Sequence, residues 1–123
     1  MYKVSVEQHF DAAHFLRGYQ GKCEALHGHR FRVVVKVEAS GVDDIGLTYD
    51  FTELKRHLDD TINRFDHTCL NDSSPFDKLN PSSENIAQTI YNELKPKLKE
   101  TPVTLSAVEM WESPDSGVEY SEG

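Results

Sequence analysis

The feature that most constrains the fold is an alternating stretch that begins directly behind two closely spaced histidines. Between Phe31 and Val37 every second residue is apolar, a pattern typical of a strand with one buried face. Side chains two residues apart on a strand point to the same face. The imidazoles of His27 and His29 are therefore predicted to lie side by side, at the start of a strand over residues 29–39.

A third imidazole is available from His14, which ends the apolar stretch that begins at Phe10. Three neutral imidazoles with a vacant fourth position describe a catalytic zinc site, because structural zinc sites are usually closed by four protein ligands. Cys23, four residues before His27, allows two interpretations. Its thiolate either closes a structural site as the fourth ligand, or stays unbound and serves as a base near neutral pH.

The composition limits the partners that the chain can have. A formal net charge of −8 over 123 residues argues against a nucleic-acid-binding or anionic-membrane surface, since both need concentrated Lys and Arg. Two cysteines are too few for a disulfide framework, and no apolar run reaches the length of a membrane span or of a signal-peptide core. We therefore expect a cytoplasmic protein without nucleic-acid or membrane partners, built as a single domain over residues 1–123.

The remaining hydrophobic periods predict the element order ββααββ. Alternating apolar residues, typical of strands, precede the histidines and return near the C-terminus. In two stretches between the histidines and this C-terminal alternation, apolar residues recur at helical spacing, and each stretch follows an acidic or serine residue suited to cap a helix. Besides the central strand, the predicted elements are strands over residues 2–9, 103–112 and 118–120, a helix over about 51–65, and a helix from Ser82 or Ser83 that closes at Pro96. Residues 66–81 are predicted to form a polar loop.

This order is typical of an α+β domain in which two helices cover one face of a four-stranded antiparallel sheet. The other face and the sheet edges are then left to solvent or to a neighbour. We expect a homo-oligomer, because association would cover both. The alternative is that lysines and glutamates solvate the open face, as antiparallel sheets permit.

Three further residues carry side chains suited to proton chemistry or to ring binding. Asp66 directly precedes His67, and a carboxylate can orient an imidazole and stabilise its charged form. Glu112 ends the third predicted strand, where it could accept hydrogen bonds from the N–H edge of a heterocycle. Taken singly, the commoner interpretations are a surface Asp–His pair and an ordinary carboxylate at a strand end.

Six sequence features, spread over nearly the whole chain, resemble one known family. They are Phe10-x-Ala-Ala-His14, Cys23-x-x-x-His27-Gly28-His29, Tyr49-Asp50-Phe51-x-x-Leu54-Lys55, Asp66-His67-x-x-Leu70-Asn71, Pro81-Ser-Ser-Glu84-Asn85 and Glu112. In order and spacing they resemble the 6-pyruvoyltetrahydropterin synthase family. The three-residue gap between Cys23 and His27 is similar to the bacterial 6-carboxy-5,6,7,8-tetrahydropterin synthase branch, whereas the biopterin-pathway enzymes have a longer gap.

The resemblance implies a tunnelling fold, in which ββααββ subunits build a barrel as a trimer or as a stacked pair of trimers (a hexamer). It also implies a role for each candidate residue. Zn²⁺ would be held by His14, His27 and His29. Cys23 would be the proton-abstracting base, and Asp66 and His67 would complete this catalytic set from a neighbouring subunit. Glu112 would anchor the pterin ring, with Ser83 and Glu84 nearby. The basic residues closest in sequence, and so candidates for binding phosphates, are Arg17, Lys22, Arg30 and Arg32.

The activity implied by the resemblance is conversion of 7,8-dihydroneopterin triphosphate into 6-carboxy-5,6,7,8-tetrahydropterin, acetaldehyde and triphosphate, in the 7-deazapurine pathway that leads to queuosine. Two alternatives use the same site: formation of 6-pyruvoyltetrahydropterin, and side-chain cleavage of sepiapterin-like pterins. An alternative of another class is a non-catalytic module whose structural zinc is closed by Cys23 and three histidines. One departure from the family is Ser113-Pro114 behind Glu112, where a threonine is more frequent.

Overall fold

Five strands form one sheet in the computed structural model, which describes residues 1–19 and 25–123, and two helices pack on one face of this sheet. The strands are β1 (Tyr2–His14), β2 (His27–Ala39), β3 (Thr68–Cys69), β4 (Thr104–Ser113) and β5 (Ser116–Tyr120), and the helices are α1 (Phe51–Ile62) and α2 (Ser83–Leu94). The order across the sheet is β3-β1-β2-β4-β5. The predicted α+β class, with both helices on one face, is confirmed.

The predicted strand count of four is wrong, because a fifth, very short strand extends the sheet beyond β1. This strand, β3, is parallel to β1, with Ala12 opposite Thr68 and Ala13 opposite Cys69, so the sheet is mixed rather than wholly antiparallel. It lies inside residues 66–81, which were predicted as a polar loop. Two residues are too few for an alternating pattern to show in the sequence.

The first strand is longer than its predicted span of residues 2–9. Its antiparallel pairing with β2 continues without interruption, so that Asp11 lies opposite Arg30 and His14 lies opposite His27. Aspartate and alanine are depleted in strands, so pairing with β2, and not local preference, keeps residues 11–13 extended. This extension places His14 inside the sheet rather than in a loop.

Serine caps the second helix and helps define the site beside it. The Ser82 hydroxyl accepts a hydrogen bond from the Asn85 amide at 3.1 Å, so Ser82, and not Ser83, is the N-cap residue. Ser83 is thus the first residue of α2, and its hydroxyl is available for another contact. The first helix ends at Ile62, earlier than predicted, and a 3-10 turn over Asn63–Phe65 follows it.

The core lies between the two helices and the sheet. Alternate apolar residues of β2 are buried there and pack with leucine and isoleucine side chains from both helices: Phe31, Val33, Val35, Val37, Leu54, Leu58, Ile86 and Ile90. Because the alternation of β2 continues toward its N-terminus, His27 and His29 point to the same side of the sheet as this core.

The opposite face of the sheet is charged. The Lys36 ammonium lies 2.5 Å from a carboxylate oxygen of Glu109 and 3.0 Å from one of Glu119, and the Arg32 guanidinium lies over the Trp111 ring. Within one chain, ion pairs therefore cover much of the face that the helices leave open. As for membranes, none of the helices in the described ranges is both long and apolar enough to cross a bilayer.

Candidate metal centre

The pairing of β1 with β2 brings three histidines together at the end of the first hairpin. His14 lies opposite His27, and Ala12 lies opposite His29, so all three imidazoles project from neighbouring positions on one face. Their ring centroids are 4.6 Å apart for His14 and His27, 4.7 Å for His27 and His29, and 5.4 Å for His14 and His29. The three residues that the sequence predicts as metal ligands thus lie within reach of one ion.

Glu112 joins these histidines and makes a group of four. Its Oε1 atom lies 2.7 Å from Nε2 of His29, 3.5 Å from Nε2 of His14 and 3.6 Å from Nε2 of His27. One ligand atom from each of the four residues lies within 4.8 Å of every other. The sequence places Glu112 correctly at the end of β4 but gives no sign that its carboxylate enters the histidine group itself.

Backbone carbonyl groups orient two of the imidazoles. The Nδ1 atom of His14 donates to the Pro81 carbonyl at 2.7 Å, and Nδ1 of His27 donates to the Ala25 carbonyl at 2.7 Å. A carbonyl can only accept, so the proton of each ring is on Nδ1 and the lone pair of Nε2 is left for the shared centre. A motif of side chains cannot reveal these backbone partners, and the sequence prediction missed them.

The residues present fit a divalent metal ion. Nε2 of His14 and Nε2 of His29 are both buried, and neither has a hydrogen-bond partner within the described part of the chain. Buried polar atoms without partners are rare because they are costly. Neutral imidazole nitrogens with a carboxylate beside them form a donor set typical of zinc and related ions, so a metal ion would satisfy the unpaired atoms.

Burial favours the protonation state that such a site needs. It lowers the pKa of His29, and this effect, with that of the neighbouring imidazoles, outweighs the carboxylate of Glu112, which acts in the opposite direction. A lowered pKa keeps the imidazole neutral and able to bind a metal at neutral pH. The side chain of His14 is almost fully enclosed, at 3% exposure.

A small cavity adjoins the histidines. It has a volume of about 90 Å³, and its lining includes His14, His27, Glu112 and the two residues that begin α2, Ser83 and Glu84. The Ser83 hydroxyl donates to Oε2 of Glu112 at 3.4 Å. The residues predicted to bind substrate therefore lie beside the metal group, but the cavity is far smaller than the roughly 300 Å³ at which ligand pockets begin.

Asp66 and His67 lie elsewhere, beside the middle of β1. An oxygen of the Asp66 carboxylate accepts from the Asp11 amide at 2.9 Å, and the His67 amide donates to the Asp11 carbonyl at 2.6 Å. Asp11 is three positions from His14, which corresponds to about 10 Å along a strand and to the opposite face of the sheet. Within one chain, the structure does not bring this pair to the metal group.

The Asp66–His67 pair is also far more exposed than the metal group. Nε2 of His67 is 3.5 Å from Oδ2 of Asp66, and the His67 side chain is 80% exposed. The backbone of His67 has a φ of 58°, a left-handed conformation that is uncommon for residues other than glycine. The predicted base, Cys23, lies outside the described residues.

The arginines proposed for phosphate binding do not line the cavity. Arg17 donates through Nη2 to the carbonyl groups of Asn71 and Phe76, at 3.4 and 2.9 Å, and so holds two loops together. Arg30 lies 4.0 Å from the carboxylate of Asp11, and Arg32 lies against Trp111 on the charged face. Lys22 is outside the described residues.

Together, the fold and the site define a small α+β protein with a candidate metal centre built on its first β-hairpin. The family model for 6-pyruvoyl tetrahydropterin synthase matches residues 3–123. The chain therefore belongs to the 6-pyruvoyl tetrahydropterin synthase family, which confirms the resemblance seen in the motifs.

Individual relatives agree with this assignment. The chain is 39% identical to the 6-carboxy-5,6,7,8-tetrahydropterin synthase of Synechocystis sp. over 98% of this chain and 93% of that protein. It is 32% identical to the enzyme of the same name from Haemophilus influenzae, over 99% of this chain and 100% of that protein. The structure of 6-pyruvoyl tetrahydropterin synthase from Caenorhabditis elegans superposes with a TM-score of 0.83 at 29% identity, covering 100% of this chain and 98% of that one.

Proposed function

We propose that this chain is a zinc-dependent carbon–carbon lyase that converts 7,8-dihydroneopterin triphosphate and one water molecule into 6-carboxy-5,6,7,8-tetrahydropterin, acetaldehyde and triphosphate. The product would enter 7-deazapurine synthesis toward queuosine. The observation that carries the proposal is the convergence of three imidazoles, two of them with buried and unpaired Nε2 atoms, beside one carboxylate. The names of the relatives from Synechocystis sp. and Haemophilus influenzae support the choice of product.

In this proposal His14, His27 and His29 hold the zinc ion. Zinc bound there would supply a Lewis acid able to polarise side-chain oxygens of the substrate. The Cys23 thiolate takes a proton from the side chain of the pterin, and His67 transfers protons with Asp66 stabilising its charged form. These transfers drive loss of triphosphate and cleavage of a carbon–carbon bond.

The pterin ring is proposed to lie in the cavity beside the metal group. Glu112 accepts hydrogen bonds from the N–H edge of the ring, and Ser83 and Glu84, at the start of α2, provide further polar contacts. Glu112 already shares a hydrogen bond with Ser83, so the two side chains are positioned together. The cavity formed by the described residues is too small for the whole substrate, and further walls must come from other residues.

We propose that a neighbouring copy of the chain supplies those walls, in a homotrimer or a homohexamer. Asp66 and His67 lie on the far side of β1 from the metal group of their own chain, so they are placed to serve the metal group of another. The whole chain, residues 1–123, would act as one domain in this assembly.

A second candidate activity is the formation of 6-pyruvoyltetrahydropterin, favoured by the similarity to the Caenorhabditis elegans structure. Side-chain cleavage of sepiapterin-like pterins would use the same residues. Product analysis separates these activities. Incubation of the zinc-loaded protein with 7,8-dihydroneopterin triphosphate is expected to yield equal amounts of acetaldehyde and a 6-carboxy pterin, detected by derivatisation and mass spectrometry. A pyruvoyl pterin formed without acetaldehyde would overturn the proposal.

The alternative, a non-catalytic module in which Cys23 is the fourth ligand of a structural zinc ion, is tested with a Cys23→Ala variant. If the thiolate is a base, this variant keeps stoichiometric zinc and its fold but loses turnover. If the thiolate is the fourth ligand, the variant loses zinc and stability together. Zinc content by atomic emission and folding by circular dichroism distinguish the two outcomes, with Cys69→Ala as the matched control.

A further inference from the structure

The position of the Glu112 carboxylate is unusual for a residue whose only task is to bind a heterocycle. A carboxylate that only binds the ring needs no contact with the metal ligands. Instead Oε1 of Glu112 faces Nε2 of all three histidines, at 2.7, 3.5 and 3.6 Å. The second oxygen, Oε2, accepts a long hydrogen bond from the Ser83 hydroxyl at 3.4 Å and so faces the start of α2.

The distances fit one vertex of a coordination tetrahedron. Zinc binds imidazole nitrogen at about 2.0–2.1 Å and carboxylate oxygen at about 2.0–2.2 Å, so neighbouring ligand atoms around one ion lie about 3.3–3.5 Å apart. Two of the Nε2–Oε1 distances, 3.5 and 3.6 Å, are close to this range, and the third, 2.7 Å, is shorter. The four ligand atoms all lie within 4.8 Å of one another, so a single ion among them would be able to bond Oε1 after small shifts of the side chains.

The directions of the rings agree with this arrangement. Oε1 is only 2.7 Å from Nε2 of His29, yet that nitrogen has no hydrogen-bond partner among the described residues, and neither has Nε2 of His14. The contact between Oε1 and His29 therefore lacks the angle of a well-formed N–H···O bond. Ligands around a shared ion show this relation, because each lone pair points at the ion and not at the neighbouring ligand.

We infer that Glu112 is the fourth ligand of the metal ion when no substrate is bound, and that substrate oxygens displace it. The inference rests on the proposed function for the three-histidine metal site and adds a closed resting state to it. On release, the carboxylate of Glu112 becomes free to accept hydrogen bonds from the pterin ring. A single movement of the Glu112 side chain would then free a coordination position for the substrate and allow the carboxylate to bind the ring.

The test compares metal binding by the wild type with that of two variants. Glu112→Gln keeps the size of the side chain but removes an anionic ligand. Glu84→Gln is the control, because Glu84 lines the same cavity but is not one of the four residues of the metal group, so its variant reports the loss of a nearby charge alone. Zinc affinity is measured by chelator competition, and Co²⁺ absorption spectra report the ligand set.

The inference predicts that Glu112→Gln weakens zinc binding by at least 10- to 100-fold, the range in which even residues outside the coordination shell act, and changes the Co²⁺ spectrum. Glu84→Gln should change zinc affinity by less than about threefold, as expected for a solvated charge. Equal zinc affinity and equal spectra for wild type and Glu112→Gln would overturn the inference and leave the proposed function intact. Failure of the wild type to bind zinc would overturn both.

A crystal structure of the zinc-loaded, substrate-free wild type provides a measurement that does not depend on the folding of a variant. The expected distance from Oε1 of Glu112 to the ion is about 2.0–2.2 Å. A water molecule in that position, with the carboxylate turned toward the cavity, would overturn the inference. Soaking such crystals with neopterin, a pterin with a hydroxylated side chain, should replace the Oε1 contact with side-chain oxygens of the ligand.

Discussion

The metal group and the Asp66–His67 pair both depend on β1, yet one chain completes only the first of them. No side chain of the metal group is more than 29% exposed, its histidines come from adjacent strand positions, and two of the rings are oriented by backbone carbonyls. The pair lies on the other side of the strand, with His67 80% exposed. The difference teaches that the single fold completes the candidate metal group, whereas it leaves the Asp66–His67 pair apart from that group.

The two regions are also stabilised by different means. The metal group leaves buried Nε2 atoms without partners, so it is energetically incomplete until an ion binds. The pair has its backbone and carboxylate hydrogen bonds to Asp11 already made, and its cost is the left-handed backbone of His67. Metal binding should therefore change the stability of the protein, while changes at the pair should change turnover.

The largest expected effect is loss of the metal on removing one imidazole. His29→Ala should weaken zinc binding by more than roughly 100-fold, since it removes a direct ligand and even changes outside the coordination shell cost about 10- to 100-fold. Turnover should fall with the zinc content. The control is His57→Ala, which changes a histidine of α1 outside the metal group. Equal zinc affinity in both variants, measured by chelator competition, would contradict the assignment of the ligands.

Removal of the His67 imidazole should separate turnover from metal binding. His67→Asn is expected to lower kcat by about 10²- to 10⁴-fold, the usual contribution of an acid–base residue, while zinc content stays at the level of the wild type. Steady-state kinetics and metal analysis on the same preparations check this. A loss of zinc in His67→Asn would show that the two regions are not independent.

A mixture of two inactive variants tests whether the regions come together from different chains. When His29→Ala and His67→Asn subunits are unfolded, mixed in equal amounts and refolded, about one quarter of the sites in a symmetric oligomer should combine an intact metal group with an intact pair. Turnover near one quarter of the wild-type value is therefore expected. A mixture that stays inactive would show that each chain uses its own pair, and that the proposed sharing between subunits is wrong.

Zinc itself should stabilise the fold. A ligand that binds only the native state at about 100 times its Kd adds about 2.7 kcal/mol to the free energy of unfolding. Denaturant titration with and without zinc should show this increase in the wild type, and no increase in His29→Ala. The same increase in His29→Ala would place the stabilising ion elsewhere in the molecule.

Much of the metal group was accessible from the sequence because strand geometry is periodic. The alternation behind His29 fixes which side chains share a face, and this places His27 and His29 together without any knowledge of the tertiary fold. The alternation alone does not place His14, because this residue lies outside the predicted span of the first strand. The continued pairing of β1 with β2 brings it into the sheet.

The remaining features depend on contacts between distant parts of the chain. The Pro81 carbonyl reaches His14 across 67 positions, and no side-chain pattern encodes an accepting carbonyl. Asp66 and His67 follow the first helix as predicted, but two hydrogen bonds to the backbone of Asp11 hold them at the outer edge of β1. Their short neighbour β3 is likewise a product of this tertiary pairing.

The smallest expected effect concerns the backbone of His67. Its φ of 58° costs an L-residue about 1–2 kcal/mol, whereas glycine adopts this conformation freely and loses about 0.5–1 kcal/mol through its greater unfolded-state entropy. His67→Gly should therefore leave the protein as stable as the wild type or more stable by up to about 1.5 kcal/mol, although it removes the imidazole that is proposed to act in turnover. The matched control, Thr68→Gly, lies in β3 and should destabilise the protein. Urea titration of the two variants checks this, and a clear loss of stability in His67→Gly would mean that the imidazole stabilises the fold and is not kept for catalysis alone.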